Sequence, residues 1–239
     1  MASDFSNNEI NKPFDYSLRV SRKAKYAKLQ IKPYGGLEVV IPLRFPKKAV
    51  PGLVNQHAEW ILRQLQKQQE RISEPVLPDE IYLAINDYRA EVVYGAQNRQ
   101  DDSLSNRLLI CDSGYQQSVN QLRKWMRQQA WELLPPMLER LSQETGLDYR
   151  KISIRSQKTR WGSCSSRGTI SLNDQLLFVA RDNAEYLMIH ELCHTRHMNH
   201  SREFWQLVEY HCTDFRYHEA ALNRAKAAIP EWILRDLYR

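Results

Sequence analysis

Six of the chain's seven histidines fall between positions 190 and 218, and two of them, His190 and His194, are four residues apart. On an α-helix that spacing sets both imidazoles on one face, one turn apart, where a single metal ion can be reached by both. The preceding Tyr186-Leu187-Met188-Ile189 is apolar, which predicts a buried helix. Ionisable side chains in such a helix are costly unless they are paired or bind metal. Glu191 follows the first histidine directly, so its side chain leaves the helix about 100° around from the ligand face. That is a poor position for a ligand and a good one for hydrogen-bonding a water at the metal. Zinc lowers the pKa of such a water to about 7. A carboxylate beside it can take the proton as general base and later hand it to a leaving amine. His190-Glu191-Leu192-Cys193-His194 thus implies hydrolysis of peptide bonds by a metal-activated water, with Glu191 catalytic and His190 and His194 holding Zn2+.

A third ligand is required. His197 shares the ligand face but lies about 10.5 Å along a straight helix from His190, too far for three bonds of about 2.0–2.1 Å to one ion. The chain must turn first. Met198-Asn199 predicts that turn, because Asn tolerates the left-handed conformation that ends helices. Ser201 fits the N-cap of a following helix, with Glu203 in its first turn. His200 then lies in the corner and can swing back to the metal, giving H-E-x-x-H-x5-H with water in the fourth position. Glu209, His211 and Glu219 from a later helix are the alternatives. Phe204, Leu207, Val208, Cys212 and Phe215 recur at helical spacing as a packing stripe. His211 lies on that stripe and reads as a core histidine, Cys193 as a small core residue, and His197 and His218 as groups behind the ligands or at the surface. Tyr210, His211 and Tyr217 are within reach as stabilisers of the developing oxyanion.

The elements that must position these residues can be read from periodicity. Alternating apolar positions from Tyr16 to Ile41, broken at Pro33-Tyr34-Gly35-Gly36, predict a β-hairpin in a small antiparallel sheet. Val50, Leu53, Val54, His57, Ile61 and Leu65 predict a helix across 46–71. Residues 81–85, 88–94 and 106–111 read as three short strands, with polar residues at 95–105 and a loose polar arm at 1–13. A second region opens near Gln116 with a long amphipathic helix over 118–145, kinked or split by Pro135-Pro136 and closed by Gly146. Strands follow near 151–156 and 168–172, flanking a polar bend through Trp161-Gly162-Ser163-Cys164-Ser165-Ser166. Helices are expected from about Asp182 to Met198, Arg202 to Phe215 and 216 to 228. The resulting division is an N-terminal β-rich module, 1–115, and a second domain, 116–239.

The 239 residues are 42% hydrophobic and 26% charged, an ordinary globular composition that excludes a chain of low-complexity or disordered type. No apolar run reaches the roughly 18 residues that a membrane span needs. The first residues lack the basic start and apolar core of an export signal, and the four cysteines form no C-x-x-C pair. Reduced thiols and the cytoplasm are the expectation. The net charge of +6 is uneven: residues 1–72 hold thirteen Lys and Arg against six Asp and Glu. Such a basic module can be a solvated face or can meet nucleic acid or an acidic partner.

Three stretches together resemble the YgjP-like metallopeptidases, gluzincin-type zinc proteins related to the SprT-like and WLM groups. They are Lys158-Thr-Arg-Trp-Gly-Ser-Cys-Ser-Ser-Arg-Gly-Thr-Ile-Ser-Leu-Asn173, His190-Glu-Leu-Cys-His194 and His197-Met-Asn-His-Ser-Arg-Glu-Phe-Trp205. The resemblance is strongest over 155–215. It implies zinc on His190, His194 and His200, Glu191 as catalytic acid and base, and a protein or peptide substrate. It also implies an α+β fold in which the small antiparallel β module with its helix precedes a minimal zincin-like domain. The strand at 168–172 would then be the edge that receives an extended peptide by β-addition. Asp174-Gln175 departs from the pattern, where a larger aromatic or basic residue is expected. Trp161, Arg160 and Asn173 are expected to hold the domain together. The reading from another class is a nucleic-acid-binding module with a structural zinc site, or a protease acting on DNA-bound protein. A closed structural site needs a fourth protein ligand, and the sequence offers no obvious one.

Overall fold

A computed structural model describes residues 14–32, 36–71, 76–95 and 106–238. The expected arm at 1–13, residues 33–35 of the expected turn and most of the polar stretch 95–105 lie outside the described residues. The fold is α+β, and the chain divides into two compact units at Pro75–Val76.

The N-terminal unit contains β1 (Tyr16–Ser21), β2 (Lys28–Ile31), β3 (Leu37–Pro42), α1 (Val50–Gln56) and α2 (Ala58–Arg71). β2 and β3 form the expected antiparallel hairpin. β1 instead pairs with β3 in parallel, giving the order β1-β3-β2 and a mixed sheet rather than an antiparallel one. The physical reason is that β3 is the apolar strand, and the centre of the sheet buries it from both sides. Leu37, Val39 and Ile41 pack under Val50 and Val54 of α1 and Ile61 of α2. On the opposite face Glu38 is buried but paired with Arg19 and Lys32. The expected single helix is divided at His57, which caps α1 outside helical geometry.

The second unit begins with β4 (Glu80–Leu83), β5 (Tyr88–Tyr94) and β6 (Arg107–Ile110), then α3 (Tyr115–Thr145), β7 (Lys151–Arg155), β8 (Gly162–Cys164) and β9 (Thr169–Asn173). It closes with α4 (Arg181–Cys193), α5 (Arg202–His211), α6 (Phe215–Ala225) and α7 (Glu231–Tyr238). The unit boundary therefore lies earlier than the 115/116 division expected from sequence. Ile81, Leu83, Val92 and Ile110 of the first sheet share one core with Leu122 and Met126 of α3, so the strands cannot be separated from the helix they cover.

α3 runs unbroken through Pro135 and Pro136 and ends on left-handed Gly146. The two prolines forgo hydrogen bonds to the carbonyls of Trp131 and Glu132, and both of those residues are exposed, so water can satisfy the freed groups. Buried Leu122, Met126, Ala130, Leu134, Leu138 and Leu141 line one side of the helix. The last sheet has the order β7-β9-β8, with β7 parallel and β8 antiparallel to the central β9. Among the described residues no helix is long and apolar enough to cross a membrane.

Candidate metal centre

α4 carries His190 and Glu191, and His194 is its C-cap in helical geometry. Tyr186, Leu187, Met188 and Ile189 are buried as their apolar character predicts. The helix stops at Cys193 rather than near Met198. Its last carbonyls are taken up early, by Thr195 Oγ1 on Leu192 O at 2.7 Å and by the Arg196 and His197 amides on Cys193 O. Asn199 does not adopt the left-handed conformation; among the described residues only Asp87 and Asn106 do so without being glycine. The corner is made instead by a turn over 194–196 and a bend at Met198-Asn199. Ser201 then caps α5 as expected, its side chain accepting from the Phe204 amide, with Glu203 in the first turn.

This path returns His200 to α4. The ligand atoms of His190, His194 and His200 lie within 4.8 Å of one another, and among the described residues no other group of three or more His, Cys, Asp and Glu side chains is assembled this way. Glu209, His211 and Glu219 lie outside it. Nε2 of His200 is 3.2 Å from Nε2 of His190. Two nitrogens bound to one tetrahedral ion at about 2.0–2.1 Å stand about 3.3 Å apart, so this pair of donors fits such an ion. Nδ1 of His194 is 2.9 Å from the His197 carbonyl, which favours the Nδ1–H tautomer and leaves Nε2 as the lone-pair atom, the usual arrangement behind a ligating histidine. Burial, with the neighbouring His194 and His200, pushes His190 down to about 3, and burial also lowers His194. Both are therefore in the neutral form that metal ligation requires.

Aromatic rings close the back of the cluster. Phe204 stacks on His194 with centroids 4.4 Å apart, and Trp205 stacks on His200 at 5.6 Å and on Phe215 at 5.4 Å. His218 binds Asn183 Oδ1 through Nδ1 at 2.8 Å and stacks on Tyr186, tying α6 to α4 behind His190.

Glu191 is 5% exposed and lies against β8. Burial raises its carboxyl to about 8, while the charge of Arg160 and the Cys164 backbone N–H act in the opposite direction. Oε2 is buried without a partner among the described residues, an atom left to meet something the protein itself does not supply.

β9, expected as the open edge, is paired on both sides. The edges are β7 and β8, and β8, where the sequence predicts a polar bend, is the one that packs against α4. Asn173 N donates to Trp161 O and Ser165 N to Thr169 O, so the alternate residues Gly162 and Cys164 turn their backbone groups away from β9. The Cys164 N–H meets Glu191 there. The signal that points to this strand is a glycine inside it, which marks close approach by another group.

Of the three residues expected to hold the domain together, Trp161 and Asn173 occupy such positions. Trp161 is buried and donates to Leu222 O at 3.2 Å. Asn173 donates to Gln157 O and Arg160 O at 2.9 and 2.8 Å, fixing the loop that leads into β8. Arg160 is exposed. Asp174 and Gln175 are buried, Asp174 bonded to Ser156 and Gln175 to Gln157 O at 3.0 Å, so polar residues there support the same loop from behind. Cys193 is buried, and its thiol is raised to about 12 by that burial, as a core residue should be. Tyr210 and Tyr217 are 80% and 67% exposed, and His211 ends α5.

The chain matches the family model described as YgjP-like, metallopeptidase domain, over residues 25–225. A solved structure, the metallopeptidase zymogen of Pyrococcus abyssi abylysin, is 25% identical and is covered over 93% of its length by 40% of this chain, with a TM-score of 0.35. No curated protein matches. With the family match spanning most of its length, the chain belongs to the YgjP-like metallopeptidase family.

Proposed function

We propose that this metallopeptidase is a zinc enzyme in which His190, His194 and His200 hold the ion and Glu191 is the general base. The observation that carries the proposal is the convergence of three imidazoles next to a buried carboxylate with an oxygen unpartnered among the described residues. When bound, zinc would supply Lewis acidity, bringing a water's pKa to about 7 and polarising the carbonyl under attack.

The chain's own residues supply the rest. Glu191 takes a proton from the attacking water and returns it to the leaving amine; burial and the opposing pull of Arg160 poise its carboxyl for both tasks. The Nδ1 contact to His197 O holds the His194 ring, and Trp205 holds that of His200. β8 offers Gly162 and the Cys164 carbonyl to an extended protein or peptide substrate, which would add as a further strand. Four free cysteines suit a reducing compartment, the cytoplasm.

The test pairs zinc content with cleavage of casein or a fluorogenic peptide. Glu191→Gln should retain zinc and lose roughly 10²–10⁴-fold in rate, whereas His200→Ala should lose most of its zinc. Full zinc occupancy in His200→Ala overturns the third ligand. Undiminished cleavage in Glu191→Gln overturns the base.

A further inference from the structure

We propose that one end of the N-terminal sheet binds single-stranded nucleic acid. The parallel register sets Ser21, the last residue of β1, beside Pro42, the last of β3. The antiparallel register sets Lys28, the first residue of β2, opposite Val40. The connection from β1 to β2 and the segment following β3 therefore leave the sheet at the same end. They bring together Arg22, Lys23, Lys25 and Lys28 from one segment and Arg44, Lys47 and Lys48 from the other, all exposed. Neither Ser21–Lys28 nor 42–49 contains an Asp or Glu.

The ion pairs described in this unit join Arg19 and Lys32 to Glu38 and Arg63 to Glu59, and none of the seven takes part. Seven cations without an ion pair among the described residues, on two adjoining segments, repel one another in the free protein, and a polyanion relieves that repulsion. The registers thus turn a charge surplus spread over the N-terminal third into a local site.

An exposed ring accompanies the charge. Tyr26 is 82% exposed between Lys25 and Lys28, and Leu43 is 67% exposed beside Arg44. A phenol ring standing among cations suits unpaired bases, each of which offers a π-face for stacking. Tyr26 and Leu43 alone offer little apolar surface for insertion into a lipid bilayer, and Ala24 and Ala27 beside Tyr26 add little more. The proposal stands apart from the peptidase chemistry.

The test is fluorescence anisotropy of the full chain with a labelled oligothymidylate of about 30 nucleotides, between about 50 and 200 mM salt. With seven phosphate contacts the slope of log K against log salt is about −5. The combined variant R22Q/K23Q/K25Q/K28Q should reduce it to about −2. Tyr26→Ala should weaken binding about tenfold with the slope unchanged, and peptide cleavage should be unaffected in both. No binding at the lowest salt, a wild-type slope in the combined variant, or tighter binding to phosphatidylserine vesicles than to the oligonucleotide each overturns the proposal.

Discussion

A Cβ atom at Gly162 would stand 2.8 Å from Oε1 of Glu191 and 3.1 Å from its Cδ, so the glycine of β8 and the carboxylate of α4 occupy adjoining space with no room for a methyl group. Gly162→Ala must therefore displace the carboxylate. A misplacement of about 1 Å at a reacting group costs on the order of 10²-fold in rate. The three histidines are not in that contact, so zinc affinity should stay at the wild-type level. Parallel measurement of kcat/KM and of zinc affinity by chelator competition separates the two. Wild-type kcat/KM in Gly162→Ala would show that Glu191 tolerates the shift.

That relationship also shows what the sequence could reveal. His190 and His194 are one turn apart on a helix, a periodic relation that spacing alone discloses. His200 follows from an argument about reach, and the structure sets it 3.2 Å from His190 although the turn forms by a different route. The edge strand against α4 was not legible. β8 is three residues of Gly, Ser and Cys without alternation, and only its pairing with β9 gives it strand form. The parallel β1 was hidden for a similar reason: alternation reports that a strand exists, and pairing direction depends on which neighbour is most apolar. The early start of the second unit depends on contacts between β4–β6 and α3 that no local pattern encodes.

Asn173 should prove a positioning residue of the same site. Its side chain donates to Gln157 O and Arg160 O and accepts from the Gln175 amide at 3.1 Å. Asn173→Ala leaves the Arg160 carbonyl and the Gln175 amide without this partner and Gln157 O with the Gln175 side chain alone, at a cost of about 2 kcal/mol or more. Asn173→Asp should not rescue it, because a carboxylate cannot donate to two carbonyls. Urea unfolding monitored by tryptophan fluorescence measures both. An Asp variant as stable as wild type would contradict the donor role.

Metal removal has a thermal readout independent of catalysis. A ligand at a hundredfold above its Kd stabilises by about 2.7 kcal/mol, which raises Tm by roughly 5–11 °C for a domain of this size. Zinc restored to chelator-treated protein should give a rise of that order, and magnesium should not, because three imidazoles suit zinc and not a hard oxygen-seeking ion. His200→Ala should lose most of the rise. A full rise in that variant would show that zinc binds elsewhere.

Tyr94 predicts a loss of stability at alkaline pH. Its hydroxyl donates to Pro78 O at 2.7 Å, and burial raises the phenol to about 12 from an ordinary 10.0. The folded state holds the proton more tightly than the unfolded state. The contribution is therefore complete below about pH 10 and is lost as pH rises toward about 12. Denaturation midpoints should fall across that window less steeply in Tyr94→Phe than in wild type. Equal slopes would assign the alkaline loss to other phenols.

Ser201 couples helix capping to the proposed metal site. It caps α5 directly after His200, and the first turn it secures carries Phe204, stacked on His194, and Trp205, stacked on His200. Loss of a serine N-cap costs about 1 kcal/mol. Where that cost falls on the geometry that brings His200 back to α4, it becomes about a fivefold loss of zinc affinity. Ser201→Ala should show this loss in chelator competition. Ser201→Asp, which caps equally well, should restore affinity to near the wild-type value. Equal affinity in all three proteins would mean that packing by Phe204 and Trp205 holds the corner without the cap.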